Sequence, residues 1–146
     1  MASRFSIEER VRWSDVDRAG IIYFGSYVRF FEIAETEMFR EMGFPFSMAN
    51  EQLNMYAVRA QFHVDFEAPA FLDDLIRAHL WVTHIGTTSF RLEFEMDRAL
   101  STQGRIGERL VTGHCVLVAV DREYYRPAPI PDRLRDALQA YLVTNG

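Results

Sequence analysis

Residues 13–27 bring carboxylates close to the predicted start of a helix. Asp15 and Asp17 are separated by one residue, Gly20 can adopt a positive φ angle, and Ser26 is placed to cap the helix. A carboxylate in apolar surroundings near unpaired helix N–H groups is suited to acid, base or nucleophile chemistry. The alternative is a solvated Asp-rich loop. Against it, the flanks are strongly apolar and contain Trp13, Val16, Ala19, Ile21, Ile22, Tyr23 and Phe24.

The local pattern does not distinguish between the two carboxylates. In an extended segment, side chains two residues apart point the same way, so Asp15 and Asp17 share one face. The choice between them depends on how the chain turns toward Gly20.

Other catalytic chemistries have little support in the sequence. Four histidines fall mainly on strand patterns without metal-ligand spacing, so no metal site is predicted; they are His63, His79, His84 and His114. The single cysteine, Cys115, excludes an internal disulfide and is expected in the core. Its strand neighbour His114 points to the opposite face, which argues against a thiol–imidazole pair. The sequence contains no Gly-x-Ser-x-Gly elbow, P-loop or dinucleotide fingerprint.

Composition and charge favour one domain spanning residues 1–146. The chain is 49% hydrophobic and 14% aromatic, and a chain of this length buries about two-thirds of its unfolded surface. A net charge of −5 argues against a nucleic-acid partner, which requires a basic surface. No apolar run has the length of a signal sequence or a membrane span, so we expect a cytoplasmic protein without a membrane partner.

One long helix is predicted after the Asp-rich segment. A strand over residues 5–13 precedes that segment, and the helix runs from Ser26 to Met42, with Gly43 and Pro45 as stop signals. A wide apolar stripe indicates that the helix packs against a sheet. The stripe contains Tyr27, Phe30, Phe31, Ile33, Ala34, Met38, Phe39 and Met42.

Alternating residues predict the strands of that sheet. The first alternating segment has Val58, Ala60, Phe62, Val64 and Phe66 on its buried face, and Arg59, Gln61, His63, Asp65 and Glu67 on the other. The same pattern buries Ile76, Ala78, Leu80 and Val82, and then Phe90, Leu92, Phe94 and Met96 after a turn at residues 85–88.

The C-terminal third completes the predicted sheet and adds a short helix. A hairpin turn near Gly104 leads to a long strand over residues 105–121. Asp132 is predicted to cap a helix that carries Leu134, Leu138 and Tyr141. A long helix on an antiparallel sheet predicts the α+β class.

An ordered set of motifs extends over most of the chain. The first is Asp15-x-Asp17-x-x-Gly20-Ile21-Ile22-Tyr23-x-x-x-Tyr27, followed by Phe31-Glu32 and Glu37-Met38. Later motifs are Ala57-Val58-Arg59, Phe66-Glu67-Ala68-Pro69, Leu72-Asp73-Asp74, Gly86-Thr87-Thr88-Ser89 and Val118-Ala119-Val120-Asp121. The set resembles the hotdog-fold acyl-CoA thioesterases of the 4-hydroxybenzoyl-CoA thioesterase family. The resemblance implies a curved antiparallel sheet wrapped around one long central helix.

The resemblance also implies roles for residues of the first motif. The second Asp of the family motif carries the chemistry, which implies that Asp17 is the nucleophile or the general base. The backbone N–H of Phe24 is the implied donor to the oxyanion. One branch of the family has His at the position of Phe24, so a role for that His does not carry over. No cofactor is implied.

The implied reaction is hydrolysis of an acyl-CoA to the free acid and CoA. Trp13, Tyr23, Phe24 and Tyr27 predict an aromatic slot, which favours a small aromatic acyl group such as 4-hydroxybenzoyl. The alternative is that these side chains belong to the helix–sheet core. A short-chain aliphatic substrate, a hydratase and a non-catalytic acyl-CoA-binding module are the competing functions. The predicted substrate contacts are Tyr23, Tyr27, Arg59, Ser89 and Arg91.

The predicted sheet leaves a long edge strand, and the pocket beside the Asp-rich segment is open on one side. Pairing of two chains covers the edge strand and closes the open side of the pocket. By resemblance we expect a homodimer with joined sheets and active sites at the interface, which commonly pairs again into a homotetramer.

Overall fold

The computed structural model describes residues 4–144, which form an antiparallel sheet with one long helix and two shorter ones. The strands are β1 (Phe5–Arg10), β2 (Tyr56–Phe66), β3 (Leu75–Ile85), β4 (Ser89–Leu100) and β5 (Arg109–Val120). The helices are α1 (Tyr27–Glu41), α2 (Phe46–Leu53) and α3 (Asp132–Gln139). The strand order is β1-β3-β4-β5-β2, and every neighbouring pair is antiparallel. This confirms the predicted α+β class.

The hydrophobic core lies between α1 and the inner face of the sheet. The predicted alternation is confirmed on β3 and β4, where the eight inward residues from Ile76 to Val82 and from Phe90 to Met96 are at most 2% exposed. The apolar stripe of α1 covers this face. Phe31 packs against Phe62 and Phe94, with ring centroids 5.2 and 5.1 Å apart.

β1 ends at Arg10, earlier than predicted, and Trp13–Asp15 forms one turn of 3-10 helix. This turn interrupts the two-residue alternation of an extended chain. Asp15 is therefore 3% exposed, whereas Asp17 is exposed. The prediction that both carboxylates share one face is wrong, because the backbone is coiled at Asp15.

The start of α1 also differs from the prediction. A second 3-10 turn at Phe24–Ser26 precedes the helix, and Ser26 has helical backbone angles of φ −69° and ψ −19° without a side-chain cap hydrogen bond. Its hydroxyl donates instead to the carbonyl oxygen of Asp15, at 3.0 Å. The predicted capping role of Ser26 is wrong. This residue connects the helix start to residues 13–26, which we call the Asp loop.

A β-bulge changes the direction of side chains in the first half of β2. The pairing of β2 with β5 shifts register between Arg59 and Gln61, which leaves Ala60 as an extra residue. Arg59 and Phe62 consequently both face α1, and Arg59 contacts Glu35 there. The predicted outward position of Arg59 is wrong, because strict alternation assumes a ladder without a bulge.

β2 lies at the edge of the sheet, and much of its predicted buried face is open in the single chain. Val58 is 43% and Phe66 is 54% exposed. Their predicted burial is wrong for one chain, because no strand pairs with the outer side of β2 among residues 4–144.

The remaining connections differ from the prediction in detail. β5 begins at Arg109, because residues 101–108 form a loop around the side chain of Arg98. α3 has Pro131 rather than Asp132 at its N-cap. Leu134 and Leu138 are buried as predicted, whereas Tyr141 follows the helix. The sequence-based prediction did not include α2. None of the described helices combines the length and apolar character needed to cross a membrane.

Candidate active site

Asp15 is buried at the base of the Asp loop, and three donors bind its carboxylate. Arg29, in the first turn of α1, donates from Nε to Oδ1 at 2.9 Å and from Nη2 to Oδ2 at 2.5 Å. The backbone N–H of Arg12 donates to Oδ2 at 2.8 Å. Burial by itself raises the pKa of Asp15, but the hydrogen bonds from Arg29 and Arg12 outweigh burial and lower the pKa below its ordinary value. Asp15 is thus an ionised acceptor within the fold.

Asp17 lies at the tip of the loop with an exposed side chain. Its N–H donates to the carbonyl of Ile21 at 3.0 Å, and its own carbonyl accepts the N–H of Gly20 at 3.0 Å. Gly20 has φ of +75°, which favours glycine at this turn. The carboxylate oxygen Oδ1 accepts the N–H of Ala19 at 2.9 Å, while Oδ2 has no hydrogen-bond partner within residues 4–144.

The turn that precedes β3 holds the Asp loop in place. The N–H of Ile22 donates to the carbonyl of Ala70 at 2.9 Å. In the other direction, the N–H of Leu72 donates to the carbonyl of Gly20 at 3.1 Å. The position of the Asp loop therefore depends on the structure of residues 69–74.

Arg98 fixes that turn from inside the protein. The Arg98 side chain is fully buried, and its Nε donates to Asp74 Oδ2 at 2.9 Å. Nη1 donates to Glu108 Oε1 at 2.5 Å, and Nη2 donates to the carbonyl of Pro69. Sequence analysis missed this cluster. A signal was present, because Arg98 continues the alternation of buried residues on β4.

The N–H of Phe24 donates to no backbone carbonyl among the described residues. Phe24 begins the 3-10 turn that runs into α1, and N–H groups at a helix start lack acceptors within the helix. The neighbouring Tyr23 N–H is already engaged, since it donates to the carbonyl of Asp15 at 2.8 Å. A free N–H at the positive end of the helix dipole can stabilise a developing oxyanion.

Three aromatic side chains form a surface cluster beside the Asp loop, which we call the aromatic patch: Tyr23, Phe24 and Phe66. Their exposed fractions are 52%, 65% and 54%. The ring centroid of Phe24 lies 4.7 Å from that of Tyr23 and 6.4 Å from that of Phe66. Tyr27 lies beneath the patch, and burial raises its pKa to about 12. Tyr27 is therefore a core residue, while Trp13 is 80% exposed.

A half-buried ion pair lies between α1 and β2, in which the Arg59 side chain is 42% exposed and the Glu35 side chain is 1% exposed. Arg59 donates from Nη1 to Glu35 Oε2 at 2.8 Å and from Nη2 to Oε1 at 2.5 Å. Nη1 also lies 3.4 Å from the Sγ of Cys115, whose pKa is raised by burial although Arg59 opposes this. Glu35 is 1% exposed. Sequence analysis missed Glu35, although it lies one helical turn from both Phe31 and Phe39 on the buried stripe.

A cavity of about 210 Å³ opens beside this ion pair. α2 covers the cavity from one side, and most of its lining is apolar. The lining includes Phe39, Phe46, Ala49, Leu53, Met55 and Leu117.

The predicted substrate contacts Ser89 and Arg91 lie far from the Asp loop of the same chain. Ser89 pairs with Val118 of β5, whereas Phe66 of the aromatic patch pairs with Val111. At about 3.3 Å per residue, the segment from Val111 to Val118 spans roughly 23 Å. The structure therefore does not bring Ser89 and Arg91 to Asp17 within one chain.

One group of potential metal ligands lies on the outer face of the sheet. The ligand atoms of His79, Glu95 and Asp97 are within 4.8 Å of one another. His79 Nε2 lies 2.8 Å from Asp97 Oδ2, and Arg109 Nη1 lies 3.6 Å from Glu95 Oε1. The group results from the register of β3 and β4, which sequence spacing does not reveal. It lies on the face opposite to α1, away from the Asp loop.

Comparisons with known proteins identify the family. The sequence profile of the thioesterase-like superfamily matches residues 11–138. The chain belongs to this superfamily. The acyl-CoA thioester hydrolase YbgC of Escherichia coli is 32% identical over 122 residues, which cover 84% of this chain and 86% of that protein. A 1,4-dihydroxy-2-naphthoyl-CoA hydrolase of a Synechococcus species is 28% identical over 138 residues, which cover 92% and 100%.

Structural comparison shows that the fold is shared with a solved thioesterase structure. The crystal structure of a 1,4-dihydroxy-2-naphthoyl-CoA thioesterase from Synechocystis matches with a TM-score of 0.81 and 21% identity, and the match covers 93% of this chain and 96% of that one. The predicted hotdog fold is confirmed, with the antiparallel sheet curved against α1. The predicted enzyme class, a thioester hydrolase, is also confirmed.

Proposed function

We propose that this thioesterase hydrolyses acyl-CoA molecules that carry small aromatic acyl groups. The observation that carries the proposal is the Asp loop, where Asp17 has a free carboxylate oxygen and Phe24 has a free N–H at the start of α1. Relatives named as acyl-CoA and 1,4-dihydroxy-2-naphthoyl-CoA hydrolases support this substrate class.

In the proposed reaction, the thioester carbonyl oxygen accepts the N–H of Phe24 as negative charge develops on it. Asp17 then acts by one of two routes. It attacks the carbonyl carbon and forms a mixed anhydride that water hydrolyses, or it takes a proton from the attacking water. In both routes the carbon–sulfur bond breaks, and CoA leaves as a thiolate that takes up a proton.

The aromatic patch favours a flat acyl group. Its three rings are more than half exposed in the single chain, so they are accessible to a ligand. Favourable ring stacking contributes about 0.5–1.5 kcal/mol per pair beyond area burial. This corresponds to a preference of about threefold to tenfold for an aromatic over an aliphatic acyl group.

We expect two copies of the chain to pair through β2. This edge strand has 11 residues, and its exposed side chains include Val58 and Phe66. A long apolar edge with unpaired backbone groups favours pairing with another strand. Further pairing of dimers into a homotetramer stays a prediction.

A two-fold pairing that uses all of β2 has its centre at Gln61. The two strands are then antiparallel, so the end of β2 at Phe66 of one copy lies beside the start of β2 of the partner subunit. The aromatic patch of one copy thus meets the other copy near Met55 and Ala57 of the partner subunit. These two residues line the cavity beside the ion pair. In this arrangement the two halves of the active site come from different chains.

Release of free CoA from benzoyl-, 4-hydroxybenzoyl-, butyryl- and hexanoyl-CoA tests the proposal, together with calorimetric binding of each thioester. We expect turnover, with kcat/KM for benzoyl-CoA about threefold to tenfold above that for butyryl-CoA. Binding without CoA release contradicts catalysis and favours a binding module. An aliphatic preference removes the aromatic assignment and leaves thioester hydrolysis intact.

A further inference from the structure

We infer that the Glu35–Arg59 pair selects acyl groups by the charge at their far end. It accepts a neutral hydrogen-bonding substituent, such as a hydroxyl, and disfavours a carboxylate. The inference rests on the proposed hydrolysis of acyl-CoA and assigns a role to the cavity between α1, α2 and β2.

The size and lining of the cavity suit one substituted ring. Its volume of about 210 Å³ exceeds the roughly 150 Å³ of an engineered apolar cavity that binds benzene. Apolar walls that include Phe39, Leu53 and Met55 surround the single ion pair. Predominantly apolar walls with a few polar groups are typical of small-molecule sites, in which the polar groups determine specificity.

The cavity is too far from the Asp loop of its own chain to receive the acyl group held there. The segment of α1 from Tyr27 to Glu35 alone spans about 12 Å at 1.5 Å per residue, which is longer than a single aromatic ring. The proposed β2 pairing removes this separation. Ala57 of β2 and Met55, which directly precedes the strand, line this side of the cavity, and they come next to Phe66 of the partner subunit. Each cavity therefore serves the catalytic residues of the other copy.

The ion pair has no net charge but retains free donors. Each carboxylate oxygen of Glu35 accepts one N–H of Arg59, at 2.8 and 2.5 Å. Across residues 4–144, the Nε–H of Arg59 has no acceptor. A hydroxyl on the acyl group can accept from Arg59 and carries no charge to desolvate. A carboxylate loses its hydration beside a cation that Glu35 already neutralises, which is unfavourable.

Glu35→Gln tests this charge balance. The substitution keeps the side-chain size and leaves Arg59 without its counter-ion, so the cavity becomes positive. The assay compares kcat/KM for benzoyl-, 4-hydroxybenzoyl- and 4-carboxybenzoyl-CoA. The unmodified enzyme should favour 4-hydroxybenzoyl over 4-carboxybenzoyl by at least about tenfold. In the variant, the ratio of 4-carboxybenzoyl to benzoyl should rise by about tenfold.

Two further variants control for other effects. Glu37→Gln removes the same charge from the surface of α1, where Glu37 pairs with Arg40, and should leave the ratio unchanged. The double variant Glu35→Gln/Arg59→Gln has a neutral cavity and should lack the gain for 4-carboxybenzoyl-CoA. If Glu35→Gln fails to fold, the double variant and the kcat/KM ratios of the unmodified enzyme still test charge selection.

The outcomes separate this inference from the proposed function. Equal kcat/KM for 4-carboxybenzoyl- and 4-hydroxybenzoyl-CoA in the unmodified enzyme overturns charge selection. A uniform change of all three kcat/KM values in Glu35→Gln also overturns charge selection. In both cases the proposed thioester hydrolysis is unaffected. Absence of CoA release from every thioester overturns both proposals.

Discussion

The guanidinium of Arg29 binds both carboxylate oxygens of Asp15. Because Arg29 belongs to the first turn of α1, this ion pair joins the Asp loop to the helix start that follows Phe24. Asp15 therefore has a structural role. Asp17 keeps an unpartnered oxygen at the surface of the same loop, which supports the proposed catalytic role of Asp17.

Asp17→Asn should reduce kcat for CoA release by at least about a hundredfold, because the amide can neither attack the thioester nor accept a proton. The thermal midpoint should change little, since the Asp17 side chain is exposed. Near-normal turnover of the folded variant contradicts the assignment. Repeated turnover in heavy-oxygen water separates the two routes, because only nucleophilic attack leaves the label in the Asp17 carboxylate.

Asp15→Asn should lower the free energy of unfolding by about 1–3 kcal/mol at pH 7, since it removes a charged acceptor from Arg29. The native pKa of Asp15 lies below its ordinary value of 3.8. Asp15 therefore stabilises the fold above that value, and the contribution disappears as pH falls through the native pKa. Urea unfolding of both proteins should give a difference at pH 7 that shrinks near pH 2. A pH-independent difference contradicts this role.

Arg98→Met should destabilise the protein by about 3–5 kcal/mol, because it leaves the buried carboxylate of Asp74 without its cation. Chemical unfolding measures the effect. Arg105→Met is the matched control, since that side chain is 79% exposed. The double variant Arg98→Met/Asp74→Asn should recover part of the loss. Equal stability of Arg98→Met and Arg105→Met excludes a structural role for the buried cluster.

Val58→Asp should shift the protein from dimer toward monomer, because it introduces a charge on the exposed edge strand. Light scattering gives the mass, and CoA release should fall together with the dimer fraction. Ile106→Asp provides a control at a side chain that is 61% exposed outside β2. A fully active monomer of the unmodified enzyme refutes the shared active site.

Phe24→Ala should reduce the preference for benzoyl-CoA over butyryl-CoA by about threefold to tenfold. The backbone N–H is retained, so turnover of butyryl-CoA should persist. Trp13→Ala removes an exposed ring outside the aromatic patch and should leave the ratio unchanged. An unaltered ratio in Phe24→Ala would show that the aromatic patch does not select the acyl group.

The central strands were predictable because their alternation is uninterrupted. β3 and β4 have covered inner faces, so each inward residue is apolar up to Met96. β2 was not predictable to the same extent. Its one extra residue, Ala60, reverses the direction of Arg59 without altering the apolar pattern that follows. A register shift depends on pairing with β5, which a single strand sequence does not encode.

The roles of charged residues depended on tertiary contacts. Asp15 and Asp17 are equivalent in a linear pattern, and only the 3-10 turn and the distant Arg29 distinguish them. Glu35 and Arg98 left a clearer signal, because each occupies a position in phase with buried apolar residues. A charge at such a position predicts a buried partner, although the sequence does not identify that partner.

The buried Arg98 cluster also has a consequence for how the enzyme folds. Arg98 joins Pro69 and Asp74, which precede β3, to Glu108, which follows β4, so the complete cluster requires the pairing of β3 with β4. The Asp loop rests on that turn through the N–H of Ile22. Catalytic competence should therefore appear late in refolding, after most secondary structure has formed. Amide exchange at Ile22 should likewise require cooperative opening of the whole domain rather than local fraying.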